Sequence, residues 1–218
     1  ENRLEEIYFS EDFKRASWDE LGSVSELDSP EEIHITSLLN QCDVESIGEK
    51  KFKVIIDPGN GAGCVLTPYL AQRLGCSVIT INGQLDGHFP GRPSEPEEST
   101  LGYLIRMVRE TDADLGVAHD GDADRIVFVT KTGEVIRGDR TIALIATDAM
   151  SQSENKIVVT TVDSSKALDE SVEKHGGKTE RTPVGDIQVA VKVKELGAVH
   201  GGEACGVFIF PEFHLAPE

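Results

Sequence analysis

Asp120-Gly121-Asp122-Ala123-Asp124-Arg125 places three carboxylates at alternate positions with small residues between them. On a tight loop that spacing turns the oxygens toward one point, and hard oxygen ligands of this kind suit Mg2+, Mn2+ or Ca2+. Without a cation, three crowded carboxylates repel one another. An EF-hand is a poor alternative, because Arg125 stands at its glycine position and Lys131 at the position of its bidentate glutamate. A solvated acidic turn is the bland alternative. Metal binding is favoured because the loop follows a strand pattern, and open α/β sheets bind ligands at the carboxyl ends of their strands. Arg125, next to the acids, offers a forked donor for a phosphate.

Three further loops bear on the chemistry. In Gly201-Gly202-Glu203-Ala204-Cys205-Gly206 a single glutamate makes a weak Mg2+ site, but it can accept hydrogen bonds from vicinal hydroxyls such as a sugar offers. A glycine-rich turn with a solvated Glu203 is the competing reading. Asp57-Pro58-Gly59-Asn60-Gly61-Ala62-Gly63 lies between a strand and a helix and is either a phosphate cradle or a structural turn. It is not G-x-G-x-x-G, and the next strand ends without a ribose-binding acid, which favours the turn. In Thr182-Pro183-Val184-Gly185-Asp186, Asp186 is either an N-cap or part of the same rim as Glu203.

The elements that must position these loops alternate in type. Ser29, Pro30 and Glu32 open a helix with apolar residues at Ile35, Leu38, Leu39 and Cys42. The pattern then predicts strand 52–57, helix 68–74, strand 77–82, a Pro/Gly loop 83–96, helix 101–109 and strand 114–118. Strands 125–130 and 134–137 read as a hairpin, and Asp139 caps a helix to Met150. The apolar-free stretch 151–155 suggests a boundary. Beyond it come strand 156–162, helix 165–175, strand 178–182, helix 187–196 and strand 208–210. The fold class is α/β, with two similar three-layer units on mixed, largely parallel sheets.

The halves also share letters. Residues 115–129 written over 196–210 match at Leu, Gly, His, Gly and Ala without a gap and set Asp122 against Glu203. An internal duplication is the inference, with chance matching the alternative.

Composition limits the function classes. The chain has 218 residues with 21 basic and 39 acidic groups, a net charge of −18 that repels nucleic-acid backbones and anionic membranes. Neither nucleic acid nor membrane is expected as a partner, and no apolar run approaches the ~20 residues of a spanning helix. The four cysteines, Cys42, Cys64, Cys76 and Cys205, show no C-x-x-C pair and suit a reducing cytoplasm.

Taken together, A-H-D-G-D-A-D-R at 118–125, D-P-G-N-G-A-G at 57–63, F-P-G-R-P-S-E-P at 89–96, T-P-V-G-D at 182–186 and G-G-E-A-C-G at 201–206 resemble the α-D-phosphohexomutases. These are the phosphomannomutases, phosphoglucomutases and phosphoglucosamine mutases, and the resemblance is greatest to archaeal-type members. It covers essentially the whole chain in family order. In that family four domains surround a cleft, and the resemblance assigns residues 1–29 to the tail of the first, 30–150 to the second, which carries the metal loop, and 151–218 to most of the third, which carries the sugar loop. Neither the T-x-S-H-N phosphoserine motif of the first domain nor the R-x-S-G-T phosphate loop of the fourth occurs here, so a fragment lacking those two domains is expected.

The implied reaction moves phosphate between the 1- and 6-positions of a hexose phosphate through a bisphosphate. The resemblance assigns Mg2+ to Asp120, Asp122 and Asp124, a phosphate contact to Arg125, and sugar contacts to Gly185, Asp186, Glu203 and Cys205. Cys205 stands where relatives often have Ser or Asn, and Val207 where many bacterial relatives have His. The alternatives are a Mg2+-dependent phosphatase with an aspartyl nucleophile in Asp120-Gly121-Asp122 and a non-catalytic metal-binding module.

Overall fold

The structure, a computed structural model, describes residues 2–217. It divides into a short amino-terminal unit, residues 1–30, and a larger unit, residues 31–218. The first contains one helix, α1 (Asn2–Ser10). Leu4, Tyr8, Phe9, Trp18 and Val24 of this unit are exposed.

The larger unit begins with α2 (Pro30–Leu39) and α3 (Val44–Lys50), the latter capped by the Asp43 carboxylate, which accepts the Ser46 N–H at 3.0 Å. A five-stranded sheet follows. Its elements are β1 (Lys53–Asp57), α4 (Gly63–Arg73), β2 (Ser77–Thr80), α5 (Gly102–Glu110), β3 (Leu115–His119), β4 (Ile126–Thr130) and β5 (Val135–Ile136). The strand order is β2-β1-β3-β4-β5, with β2, β1 and β3 parallel and β3, β4 and β5 antiparallel. Alternation along β1 explains the layers, because successive side chains of a strand point to opposite faces. Ile55 joins Leu104 and Val108 of α5 in one core, whereas Val54 and Ile56 join Val117 and Ala71 of α4 in another.

The second sheet repeats this scheme. α6 (Gly138–Ser151), β6 (Ile157–Thr161), α7 (Lys166–Lys174), β7 (Lys178–Thr182), α8 (Asp186–Leu196), β8 (His200–Glu203) and β9 (Val207–Ile209) build a sheet of order β7-β6-β8-β9, in which only β8 and β9 are antiparallel to each other. Val158 packs with α6 and α7 on one face, and Val159 with α8 on the other. Both sheets are therefore mixed, with helices on both sides. Among the described residues no helix is long and apolar enough to cross a membrane.

Helix α6 belongs to the second sheet. Its Ile142, Ala146 and Met150, four residues apart, meet Val158, Leu168 and Phe208. Residues 152–156 form a short connection from α6 to β6. Asp139 is also not the cap of this helix. It lies in the first turn, buried, with Arg137 Nη2 at 3.0 Å from its Oδ2.

The two units share one arrangement, but in a different register from the ungapped match. In each unit the third parallel strand starts opposite the second residue of the central strand: Leu115 opposite Val54, and His200 opposite Val158. Gly116 and Gly201 are then equivalent. A Cβ on Gly116 would meet Val108, Val129 and Leu104, and one on Gly201 would meet Val193, Val189 and Ile209, the same helix and strand neighbours in both units. The helix stops correspond as well, with the Ala113 amide donating to Val108 and the Ala198 amide to Val193, each at 3.0 Å. Leu115 thus corresponds to His200, not to Leu196, and Glu203 corresponds to Ala118. Asp122 has no residue-for-residue counterpart. The Leu-Gly pairs that suggested the match differ in structure: Gly116 makes room for α5, whereas Gly197 is the left-handed cap of α8 at φ 59°.

Candidate functional site

The acidic loop joins β3 to β4 at the carboxyl end of β3 and is tied down at both ends. His119, the last residue of β3, is buried, and burial holds its imidazole below the usual histidine range against the opposing pull of the Arg125 carbonyl. In the neutral ring Nδ1–H donates to Arg125 O at 3.0 Å, and Nε2 accepts from the Thr67 hydroxyl of α4 at 3.0 Å. The strand-end histidine thereby closes the loop that begins one residue later. Within the loop the Arg125 amide donates to Asp120 Oδ1 at 3.2 Å, and Ala123 takes a left-handed backbone at φ 66°.

The loop brings together the three carboxylates expected from their spacing. Asp120, Asp122 and Asp124 each offer an oxygen, and these oxygens lie within 4.8 Å of one another. Asp120 is buried, Asp124 half-buried and Asp122 exposed, so the cluster opens on one side to solvent. Asp124 Oδ1 is buried without a hydrogen-bond partner; its nearest cation is Arg125 Nε at 3.8 Å. Burial, opposed by the Arg125 amide and reinforced by the neighbouring Asp124 and Asp122 carboxylates, pushes the Asp120 carboxyl up to about 7. A buried orphan acceptor among mutually repelling carboxylates fits a divalent cation such as Mg2+, which binds through a few carboxylates and keeps its other positions for water or phosphate.

Arg125 is half-buried and is held by the Glu95 carboxylate, with its Nε 3.7 Å from Asp120 Oδ2. Glu95 was not singled out by sequence reasoning, and neither were His119, Thr67 or Arg92. The visible signal was an arginine and a glutamate flanked by prolines inside a Pro/Gly loop, which is also a common composition for ordinary turns.

The second loop stands beside the first. The Ile126 amide donates to Gly206 O at 3.0 Å, joining the start of β4 to the turn after β8. Glu203, buried at the carboxyl end of β8, accepts the Gly185 N–H on Oε1 at 2.7 Å, and the Cys205 thiol lies 3.8 Å from Oε2. Gly185 takes φ 133°, a conformation that disfavours any side chain, and this lets its amide reach the carboxylate. Asp186 is the first residue of α8 rather than its cap, and it is half-buried. Glu203, Gly185 and Cys205 are thus brought together, and Asp186 follows immediately on the same rim.

The glycine loop at 57–63 is a structural turn. Its successive amides are committed internally: Gly59 to Asp57 Oδ1, Asn60 to Asn82 O, Gly61 to Pro58 O and Ala62 to Gly121 O. A cradle needs free amides directed at an anion. The glycines serve close approach instead, because a Cβ on Gly61 would fall well inside contact distance of the Gly121 carbonyl in the acidic loop. Backbone cannot yield as a flexible side chain does, so Gly61→Ala is expected to destabilise the fold by about 1–3 kcal/mol. Thermal unfolding checks this; an unchanged melting temperature would mean that the contact is slack.

Comparison with known proteins agrees with this arrangement. Residues 32–133 match the family model for phosphoglucomutase/phosphomannomutase, alpha/beta/alpha domain II, and residues 137–217 match that for domain III. The chain is 42% identical over 212 residues to the phosphoglucomutase/phosphomannomutase of Thermococcus kodakarensis, covering 97% of this chain and 46% of that protein. It is 39% identical over 218 residues to a probable phosphoglucosamine mutase of Methanopyrus kandleri, covering 100% of this chain and 47% of that protein. A crystal structure of a phosphoglucomutase/phosphomannomutase family protein from Burkholderia thailandensis matches with a TM-score of 0.83 at 28% identity, over 99% of this chain and 45% of that one. The chain spans about half the length of the curated relatives it matches. With an acidic loop and a glutamate loop side by side on two α/β/α units in the order of domains II and III, the chain belongs to the phosphoglucomutase/phosphomannomutase family.

Proposed function

We propose that this chain is the metal- and sugar-loop part of a Mg2+-dependent phosphohexomutase, which interconverts a hexose 1-phosphate and a hexose 6-phosphate through a bisphosphosugar. The observation that carries the reading is the convergence of Asp120, Asp122 and Asp124 around a buried acceptor, Asp124 Oδ1, that no group of the chain satisfies. When bound there, the cation supplies positive charge next to a transferring phosphoryl group.

The remaining roles belong to the chain's own side chains. Arg125, partly exposed beside the acids, binds phosphate by exchanging its Glu95 partner for the ligand. Glu203, oriented by Gly185 N–H, accepts sugar hydroxyls on its remaining lone pairs, with Cys205 and Asp186 at the edge of the same subsite. Contacts to hydroxyls shared by both ends of the sugar serve a ligand that must be held in two orientations. The phosphoryl donor is a phosphoserine outside this chain. Its phosphoryl passes to the free sugar hydroxyl to give the bisphosphate, and the other phosphate then returns to the serine. A first domain carrying that serine and a fourth domain clamping the distal phosphate are the partners of this chain in a reducing cytoplasm. We place the division between its two units in the segment before α6, near residues 134–137, in keeping with the packing of that helix.

Titration calorimetry with Mg2+ tests the metal assignment. Asp120→Asn, Asp122→Asn and Asp124→Asn are each expected to weaken binding by about tenfold or more, the equivalent of about 1.4 kcal/mol. Unchanged affinity in all three variants would remove the site.

A further inference from the structure

Arg92 lies in the middle of the Pro/Gly loop, yet only 6% of its surface is exposed. An arginine has five N–H donors, and Arg92 directs five hydrogen bonds inward. Nε donates to Asp57 Oδ2 at 3.0 Å, Nη1 to Pro93 O and Ser94 O at 2.9 Å each, and Nη2 to Asp57 O at 3.2 Å and to His119 O. Asp57 O and His119 O are main-chain carbonyls at the carboxyl ends of the adjacent parallel strands β1 and β3. The guanidinium therefore continues the strand pairing one step past the sheet, and the second of those carbonyls is in the peptide bond that leads into Asp120.

Other contacts grip the loop from the same two segments. The Ala62 amide holds Gly121 O at 2.9 Å, the Phe89 ring packs against Gly121 at 3.1 Å from where a Cβ would sit, and Glu95 holds Arg125. Gly59, at φ 59°, has no Cβ to strike the Arg92 guanidinium. The motifs at 57–63 and 89–96 thus have a shared purpose that neither shows alone. A turn needs no buried cation, and an isolated buried cation is costly unless each donor is satisfied.

We propose that Arg92 is the positioning residue of the acidic loop, acting through the His119 carbonyl to set the spacing of Asp120, Asp122 and Asp124. This rests on the metal reading above. Lysine has a compact ammonium with three donors and cannot make the five bonds to Asp57, Pro93, Ser94 and His119 that fix the guanidinium.

The test uses the 218-residue chain with Arg92→Lys, at a temperature well below unfolding, and two readouts: Mg2+ affinity by calorimetry, and amide hydrogen exchange at residues 120–125 compared with the strands of the second sheet. The expected result is a fall in Mg2+ affinity of about 10- to 100-fold, as for outer partners of metal ligands, with faster exchange confined to the loop and its clamp. Wild-type affinity and unchanged loop exchange in a chain that only melts earlier would make Arg92 a plain stability residue and overturn the proposal. Should Arg92→Lys not fold, the neutral pair Asp57→Asn with Arg92→Gln, which leaves no orphaned buried charge, is judged by the same two outcomes. Should the wild-type chain bind no Mg2+, the metal reading fails by itself, and loop exchange alone decides whether Arg92 holds the loop.

Discussion

Purified, folded and supplied with Mg2+, glucose 1-phosphate as substrate and glucose 1,6-bisphosphate as primer, the 218-residue chain is expected to give no hexose-phosphate mutase turnover. Phosphoryl transfer of the proposed kind depends on a donor, a cation and a clamp on the far phosphate, and the roles proposed above give this chain only the second of these, with Arg125 and Glu203 beside it. Positioning supplies about 7–11 kcal/mol of barrier lowering in well-oriented reactions, so losing the walls that orient the ligand costs about five powers of ten or more in rate. Ligand capture suffers too, because a net charge of −18 opposes a phosphosugar dianion. A coupled assay detecting glucose 6-phosphate is the check. Turnover that disappears in Asp122→Asn would show that the chain suffices and would end the part-of-a-mutase reading. Hydrolysis of a phosphate ester with an acid-labile phospho-aspartate at Asp120 would instead favour a phosphatase.

The local chemistry was legible in the sequence because it is local. Asp120, Asp122 and Asp124 stand at alternate positions with small residues between them, so their ability to converge on one loop is visible in six consecutive letters. The alternation of helix and strand patterns likewise gave the two-unit α/β architecture. What escaped depends on contacts between distant segments. Nothing in residues 83–96 reveals that Arg92 turns inward to His119, and nothing in 57–63 reveals that Gly61 must clear Gly121. The allegiance of α6 was hidden for the same reason: its apolar face suits either sheet until Val158 and Phe208 are placed opposite it.

The shared arrangement of the two units shows how letters mislead and packing corrects them. Five matched residues in one window suggested that Asp122 and Glu203 share a position. Strand pairing and the glycines under α5 and α8 give another register, in which the six-residue acidic loop 120–125 is replaced by the three residues 204–206. The shorter turn leaves no room for a carboxylate cluster and keeps its single acid, Glu203, inside the strand, where Gly185 N–H fixes it. Loop length after one strand position thus separates a cluster of three carboxylates from a single glutamate fixed by a main-chain amide.

The remaining prediction concerns protons and metal at Asp120. Its carboxyl, pushed up to about 7 from an ordinary value of 3.8, binds a proton more tightly in the folded chain than in the unfolded one. The stability it contributes is therefore fully present below about pH 3.8 and is lost as pH rises through about 7. His200 has the opposite sign. Fully buried, it is held down to about 4 by burial, against a weaker upward pull from the Ile209 main chain, so its share of stability is present above 6.5 and is lost as pH falls toward 4. The two slopes oppose each other below pH 6.5, and Asp120 acts without that opposition between about 6.5 and 7.5. A cation that replaces the proton should consequently raise the melting temperature more at pH 8 than at pH 6, and binding at pH 6 should release up to about one proton per Mg2+, falling toward none at pH 8.5. Calorimetry in two buffers of different ionisation enthalpy measures that release, and Asp120→Asn should abolish it. Equal melting-temperature gains at both pH values, with no proton released at pH 6, would mean that Asp120 is already ionised in the metal-free loop and that burial and its acidic neighbours do not hold its proton.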